Sequence, residues 1–397
     1  MQGNLVVKRA DLSAVLFYLA FVMMEICTWL LVVLNKTIFY YTKIFTVFMY
    51  ITSFLFGKWN IKRICLLILF FVVSIISFVK TKDTQIYYLI VAIFSANKIN
   101  SKTLAKIDLR VKCICFLIVF TLSFFNVIPY YSFITSTGRT VYSFGYFNPN
   151  SLFFGTFICC VDVILIKNKK IRKYDYLLLW IIGMIAGNIT NCRTGMVAIT
   201  ILLMFLFLDN KYLLSNKKAY KNMIVAAMPF LFLISVFLIF YYDKQISVIN
   251  YIDKAISGRI YFARRFYDIY KFSFFGQSVT TVTGLESLLT GQAAMPVDNF
   301  YIYSLVANGV LFSVFISAMY CRSEKNMLSK NMNIMAIILF VMALYSFAER
   351  VFLSFETNYL LILLGYGLNN DSVFIDKYIT EQQYERLEKN GKEKLYL

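Results

Sequence analysis

The sequence predicts an all-α polytopic membrane protein of about 12 transmembrane helices, forming one integral unit over residues 1–397. Three observations carry this. The chain is 60% hydrophobic and 18% aromatic, with a mean hydropathy of +0.68. A soluble domain of this length has no interior large enough for that much apolar surface, so lipid must be part of the solvent. The apolar runs are continuous rather than alternating, and many approach the ~20 residues a spanning helix needs. That pattern selects helices over a closed barrel, the two structures a bilayer admits. Finally, the basic residues gather between the apolar runs in a regular alternation.

In chain order the expected spans are 12–34, 38–57, 61–79, 84–97, 112–131, 150–166, 175–190, 194–208, 222–241, 300–319, 333–348 and 355–369. The first follows Lys8 and Arg9, is too long for a signal-peptide core and lacks a small-residue cleavage site, so it is expected to be retained. The fourth, eighth and twelfth are short enough to be tilted or re-entrant. Lys58, Lys62 and Arg63, the stretch Lys98 to Lys112, the run Lys167 to Lys173, Lys211 to Lys221, Arg322 to Lys330 and the tail all fall on one side. By the positive-inside rule that side is cytoplasmic, so both termini are cytoplasmic and the net charge of +19 needs no nucleic-acid partner. The tail 370–397 reads as a polar cytoplasmic extension. On the opposite side most connections are tight, except 132–149 and a large outer loop, 242–298; long outer loops are often functional.

Composition also excludes chemistry. There is no histidine, which rules out His-based acid–base catalysis, His-ligated metals and Ser-His-Asp triads. The eight cysteines form no CxxC pair and lie mostly within apolar runs, so neither disulfides nor a zinc site is expected. No metal or other cofactor is expected. Two ionisable residues fall within the spans, Glu25 and Asp162. Glu25 and Lys43 lie at similar depth on consecutive antiparallel spans, which suggests a buried pair.

The arginines depart from the topogenic pattern. Of 28 lysines only Lys36, Lys43, Lys80, Lys82, Lys244, Lys254 and Lys271 fall outside or near outer helix ends. Six of the twelve arginines do: Arg139, Arg193, Arg259, Arg264, Arg265 and Arg350. The positive-inside rule treats both residues alike and leaves the difference unexplained. A guanidinium grips phosphate through a planar fork and stays charged, which suits a multiply charged anion at the lipid surface. Pairing with Asp253, Asp268, Glu349 or Glu356 is the structural alternative.

Four stretches give these arginines a context. Gly145-Tyr-Phe-Asn-Pro-Asn-Ser-Leu152 offers an N-cap and turn before an apolar helix. Asn191-Cys-Arg-Thr-Gly195 places Arg193 at a membrane boundary, beside a glycine that permits close helix approach. Ser257-Gly-Arg-Ile260 precedes Arg264, Arg265 and Phe275-Gly276. Asp298-Asn-Phe-Tyr-Ile-Tyr-Ser-Leu305 then leads to Asn308-Gly-Val. In this order they resemble elements of the O-antigen polymerase/O-antigen ligase superfamily, the Wzy-like proteins: G-x-x-N-P-N-x-L, S-R-T/S-G, S-G-R…G-x-G and H-N-x-y-L…G-I/L. The chain departs at three places: Cys192 stands for the common serine, Ser278 for the second glycine of G-x-G, and Asp298 for the family's histidine. Residues 1–130 are similar only in hydropathy.

The resemblance implies a GT-C-like fold and a metal-independent inverting glycosyltransferase. It would polymerise a surface polysaccharide (capsule, exopolysaccharide or O-antigen type) at the outer face of the cell membrane. The implied donor is a glycan on undecaprenyl pyrophosphate and the acceptor a lipid-linked repeat unit; a chain-length regulator and a flippase are the implied protein partners. Pyrophosphate and glycan contacts fall to Arg193, Arg259, Arg264, Arg265, Arg139, Asn150 and Asn299. The general base is a carboxylate, with Asp298 preferred for its position in the motif and Glu349 second. Asp298 has the alternative of a helix N-cap, and Glu349 that of a structural partner to arginine. Two other functions stay open. A flippase of the same pathway would show repeats and helix breaks in matching halves, and the chain has only four prolines and no evident repeat. A glycan ligase is disfavoured by the missing histidine.

Overall fold

The computed structural model describes residues 9–367 apart from 35, 58–60, 82, 97–98, 131, 135–139, 147, 243–245, 257, 283–290 and 292–294. Arg139 and the tail 370–397 lie outside the described residues. The chain is helical almost throughout. α1 (Arg9–Trp29), α2 (Lys36–Phe56), α3 (Ile61–Thr81), α4 (Thr84–Ser95) and α5 (Ser101–Phe124) come first. A small antiparallel hairpin of β1 (Ser132–Ile134) and β2 (Thr140–Tyr142) follows, pairing Phe133 with Val141. Next come α6 (Pro149–Lys167), α7 (Lys173–Thr190), α8 (Arg193–Tyr212) and α9 (Lys218–Tyr242). The segment after α9 folds into α10 (Ser247–Ala255) and α11 (Arg259–Tyr270), and α12 (Phe300–Tyr303), α13 (Val310–Ser329) and α14 (Asn333–Tyr345) close the bundle.

Six of the described helices are long and apolar enough to cross a membrane: α1, α2, α3, α6, α8 and α9, while α4 and α14 are apolar but shorter. Their surfaces invert the soluble pattern. Phe48, Leu55, Val79, Leu117 and Leu233 are among the large apolar side chains left exposed, whereas polar groups such as Thr46, Ser53 and Ser74 are buried. Only a lipid environment makes that arrangement favourable, because it leaves backbone polar groups satisfied inside helices and apolar side chains outside. α1 packs on α2 and α5, α6 on α5, α7 and α8, and α14 on α8 and α9.

Four expectations need correction. The fifth helix starts at Ser101, eleven residues before the expected span, and Lys112 is not a cytoplasmic charge: it is fully buried against Glu25 and Asp108. Glu25 and Lys43 do not pair; Glu25 binds Lys112, and Lys43 binds Glu356 and donates to Thr84 at 2.9 Å. The expected span 300–319 is broken, with one α turn, a π-helical turn over Ser304–Asn308 and then α13. Gly309 sits at φ +95°, a conformation that ends a helix and favours glycine. The freed backbone groups find partners in the segment after α11: Gln277 N–H donates to Ala307 O (2.8 Å), and Val310 N–H to Ser273 O (2.8 Å). A Cβ on Gly309 would lie 2.4 Å from the Gly276 nitrogen, so both glycines are needed for this contact. The last expected span, 355–369, is no α-helix. Irregular turns over 346–358 lead into a 3-10 helix, Tyr359–Gly367, and the whole stretch is enclosed by protein. Non-helical backbone survives at membrane depth only in such surroundings.

Candidate functional site

The four sequence elements, spread over more than 150 residues of chain, meet around one carboxylate. Asn148 accepts from Asn150 N–H at 2.9 Å and caps α6, with Pro149 in the first turn where its missing N–H costs nothing. This sets Asn150 at the helix tip, where its amide donates to Glu349 Oε1 at 3.1 Å. The Asn191–Gly195 turn starts α8 beside α6; a Cβ on Gly195 would fall 2.0 Å from the Phe153 ring, so glycine alone allows the approach. Thr194 Oγ1 thereby reaches Glu349 Oε1 at 3.4 Å.

α11 supplies the arginine. Gly258, at φ +77°, turns the chain into the helix, and the Asp253 carboxylate accepts from Ile260 N–H (2.7 Å) and Tyr261 N–H (3.2 Å), satisfying two first-turn donors. Arg259 is therefore fixed at the helix start. Its Nη2 donates to Glu349 Oε1 at 2.6 Å and its Nε lies 3.5 Å from Asp298 Oδ2. Its Nη1 is buried without a hydrogen-bond partner.

All three donors converge on Oε1, and Oε2 is neither hydrogen-bonded nor fully buried among the described residues. One Glu349 oxygen is thus held while the other stays free to accept a proton. Burial pushes the Glu349 carboxyl up to about 7; the Asp298 charge adds to this and Arg259 opposes it. A carboxylate so tuned can exchange protons near neutrality. Beneath it, Cys192 lies 3.7 Å from the Tyr345 hydroxyl, and burial pushes its thiol up to about 11, so it stays protonated and is no nucleophile.

The other candidates divide. Asp298 does not cap the helix: Asn299 does, accepting from Ile302 N–H at 2.9 Å while its amide donates to Ser235 Oγ and Phe347 O. This leaves Asp298 one-third exposed and facing Arg259, and engages the Asn299 side chain with partners inside the protein. Arg264 is tied to Asp268 (2.8 Å) and to Ile239 O (2.9 Å). Arg350 lies over the Tyr303 ring at 4.4 Å. Arg193 and Arg265 are exposed. Thr194 went unnominated in the sequence, although it sits inside the Arg-Thr-Gly element; its type gives no sign of what it faces. Among the described residues no group of three or more Cys, Asp or Glu side chains is arranged to hold a metal.

Compared with known proteins, the chain matches no family model, no curated protein and no solved structure.

Proposed function

We propose that the chain polymerises a surface polysaccharide, transferring a glycan from undecaprenyl pyrophosphate to a lipid-linked repeat unit at the outer face of the cytoplasmic membrane. The finer architecture belongs to the same proposal: a GT-C-like bundle of about twelve crossings with both termini cytoplasmic. The observation that carries it is the convergence of Asn150, Thr194, Arg259 and Asp298 around Glu349. Each comes from a different one of the four stretches that resemble the Wzy-like superfamily, and residues this distant in sequence meet only where the fold brings their elements together.

In this mechanism Glu349, ionised, accepts the acceptor hydroxyl proton on Oε2. The hydroxyl oxygen forms the new bond to the donor's anomeric carbon as the bond to pyrophosphate breaks. Arginines stabilise the charge that collects on the leaving group without a metal; among the described residues the exposed Arg193 and Arg265 offer guanidiniums for this, and the buried Nη1 of Arg259 is a further donor. Arg259 also holds Glu349 in place. Glu349 thus takes precedence over Asp298 as base, since Asp298 is more exposed and engages Arg259 at longer range.

Deleting the gene and sizing the surface glycan tests the proposal. A polymerase loss leaves single repeat units that still reach the outer face. Loss of all outward-facing repeats identifies a flippase instead, and full-length polymer on lipid that never reaches its final acceptor identifies a ligase.

A further inference from the structure

A second polar cluster lies inside the bundle, apart from the outer site. Glu25 of α1, Asp108 and Lys112 of α5 and Asp162 of α6 are all at most 2% exposed. Lys112 Nζ pairs with Asp108 Oδ1 and lies 3.0 Å from Glu25 Oε2, which also accepts from Trp29 Nε1 at 2.7 Å. The ammonium sits over the rings of Trp29 and Tyr359, at 5.3 and 5.7 Å. Tyr359 in turn donates its hydroxyl proton to Asp162 Oδ1.

Three carboxyl groups thus face one ammonium. With all ionised, the cluster carries two uncompensated negative charges in a medium that barely screens them. The geometry shows where the imbalance falls. Asp108 Oδ2 and Asp162 Oδ2 are both buried without a partner. Both belong to one buried cluster, joined through Lys112, which pairs with Asp108 and sits over the ring of the Tyr359 that binds Asp162. One cluster thus holds two buried acceptor oxygens with no donor, and buried polar oxygens are very rarely left so. Among the described residues no further cation faces them: α5 adds the Cys113 thiol, α6 adds Cys159 and Cys160, and the 3-10 helix adds Tyr359.

We infer that this pair is a proton-binding site within the membrane bundle: Asp162 is protonated at neutral pH, and its Oδ2–H donates to Oδ2 of an ionised Asp108. Asp108 is the ionised member because its other oxygen already pairs with Lys112. A proton needs no cavity, in keeping with the lack of a ligand set for a metal among the described residues. The site anchors Tyr359, and Tyr359 begins the 3-10 helix that follows the buried turns downstream of Glu349. The inference does not depend on the polymerase proposal.

Infrared spectroscopy of the full-length protein in lipid nanodiscs at neutral pH tests it. Asp162→Asn should delete one protonated-carboxyl C=O band and keep the fold, because the amide N–H replaces the acid O–H toward Asp108. Tyr359→Phe should move that same band to higher frequency, since Oδ1 loses the hydrogen bond it accepts. Glu324→Gln, which alters a separate buried carboxyl, should leave this band in place. An unchanged acid-band spectrum in Asp162→Asn overturns the inference. Should that variant fail to fold, an unmoved band in Tyr359→Phe overturns it equally.

Discussion

Replacing Glu349 by glutamine leaves the site's geometry nearly intact and removes its chemistry. The amide oxygen can still accept from Asn150, Thr194 and Arg259, which all bind the single oxygen Oε1. The free oxygen becomes an NH2 group that can accept no proton. A positioned general base contributes roughly 10²- to 10⁴-fold, so elongation should fall by that factor. The pH profile follows from the carboxyl lying at about 7. The base works ionised, so the wild-type rate should climb as pH rises through about 7 and level off above it; Glu349→Gln should lose that limb. Stability runs the other way. A carboxyl raised from 4.5 to about 7 favours the fold fully below its unfolded value, and that contribution disappears as pH rises through about 7. Wild-type melting temperature should therefore decline between about pH 5 and 8 more than that of the glutamine variant. The assay is elongation of lipid-linked repeat units by purified protein in liposomes, read as a ladder of glycan lengths, with melting recorded alongside. A glutamine variant with wild-type ladders and an unchanged pH profile would refute Glu349 as base and leave it as the counter-ion of Arg259.

Arg259→Lys loses the forked contact to Glu349 and Asp298; at about 1.5–3 kcal/mol for a charge-assisted hydrogen bond, elongation should drop on the order of 10- to 100-fold, and full activity would remove Arg259 from the site. Asn299→Asp keeps the helix-cap acceptor but loses the amide bonds to Ser235 and Phe347. It should lower stability by about 1–3 kcal/mol with elongation per folded molecule unchanged; a selective loss of elongation would restore Asn299 as a substrate contact. Gly195→Ala drives a methyl into the Phe153 ring and should cost about 1–3 kcal/mol in thermal unfolding, with Gly195→Ala/Phe153→Leu recovering part of it; additive losses would contradict the packing argument. Lys112→Met strips three buried carboxyl groups of the only cation beside them among the described residues and should cost about 3–5 kcal/mol. Lys167→Met, which removes a half-exposed lysine from its pair with Asp175, should change stability by less than about 1 kcal/mol, and equal melting shifts would show that burial of the cation does not set the cost.

The helices that contact lipid were legible in the sequence because a bilayer imposes length and composition locally. α2, α3, α6, α7 and α9 fall within a few residues of their expected limits. The elements around Asn150, Gly195 and Arg259 were legible for a similar reason, since caps, tight turns and positive-φ glycines announce themselves in a few neighbouring residues. Burial inside the bundle was not. Lys112 reads as one more basic residue before an apolar run, and only the positions of Glu25 and Asp108 turn it into a core cation. The irregular stretch after Tyr345 reads as an apolar helix, because its composition suits a span whether the surroundings are lipid or protein. The arginines that depart from the topogenic pattern likewise stood out by type alone, but their fates differ. Arg264 and Arg350 are held by local partners, Arg193 and Arg265 are exposed, and Arg259 is clamped between two carboxylates. By itself the sequence determined that the chain suits a membrane, where most of its helices run and which residue types depart from the topogenic pattern. The tertiary structure decided which charges meet, because a pairing across 90 residues, as between Arg259 and Glu349, depends on how elements pack rather than on any local preference.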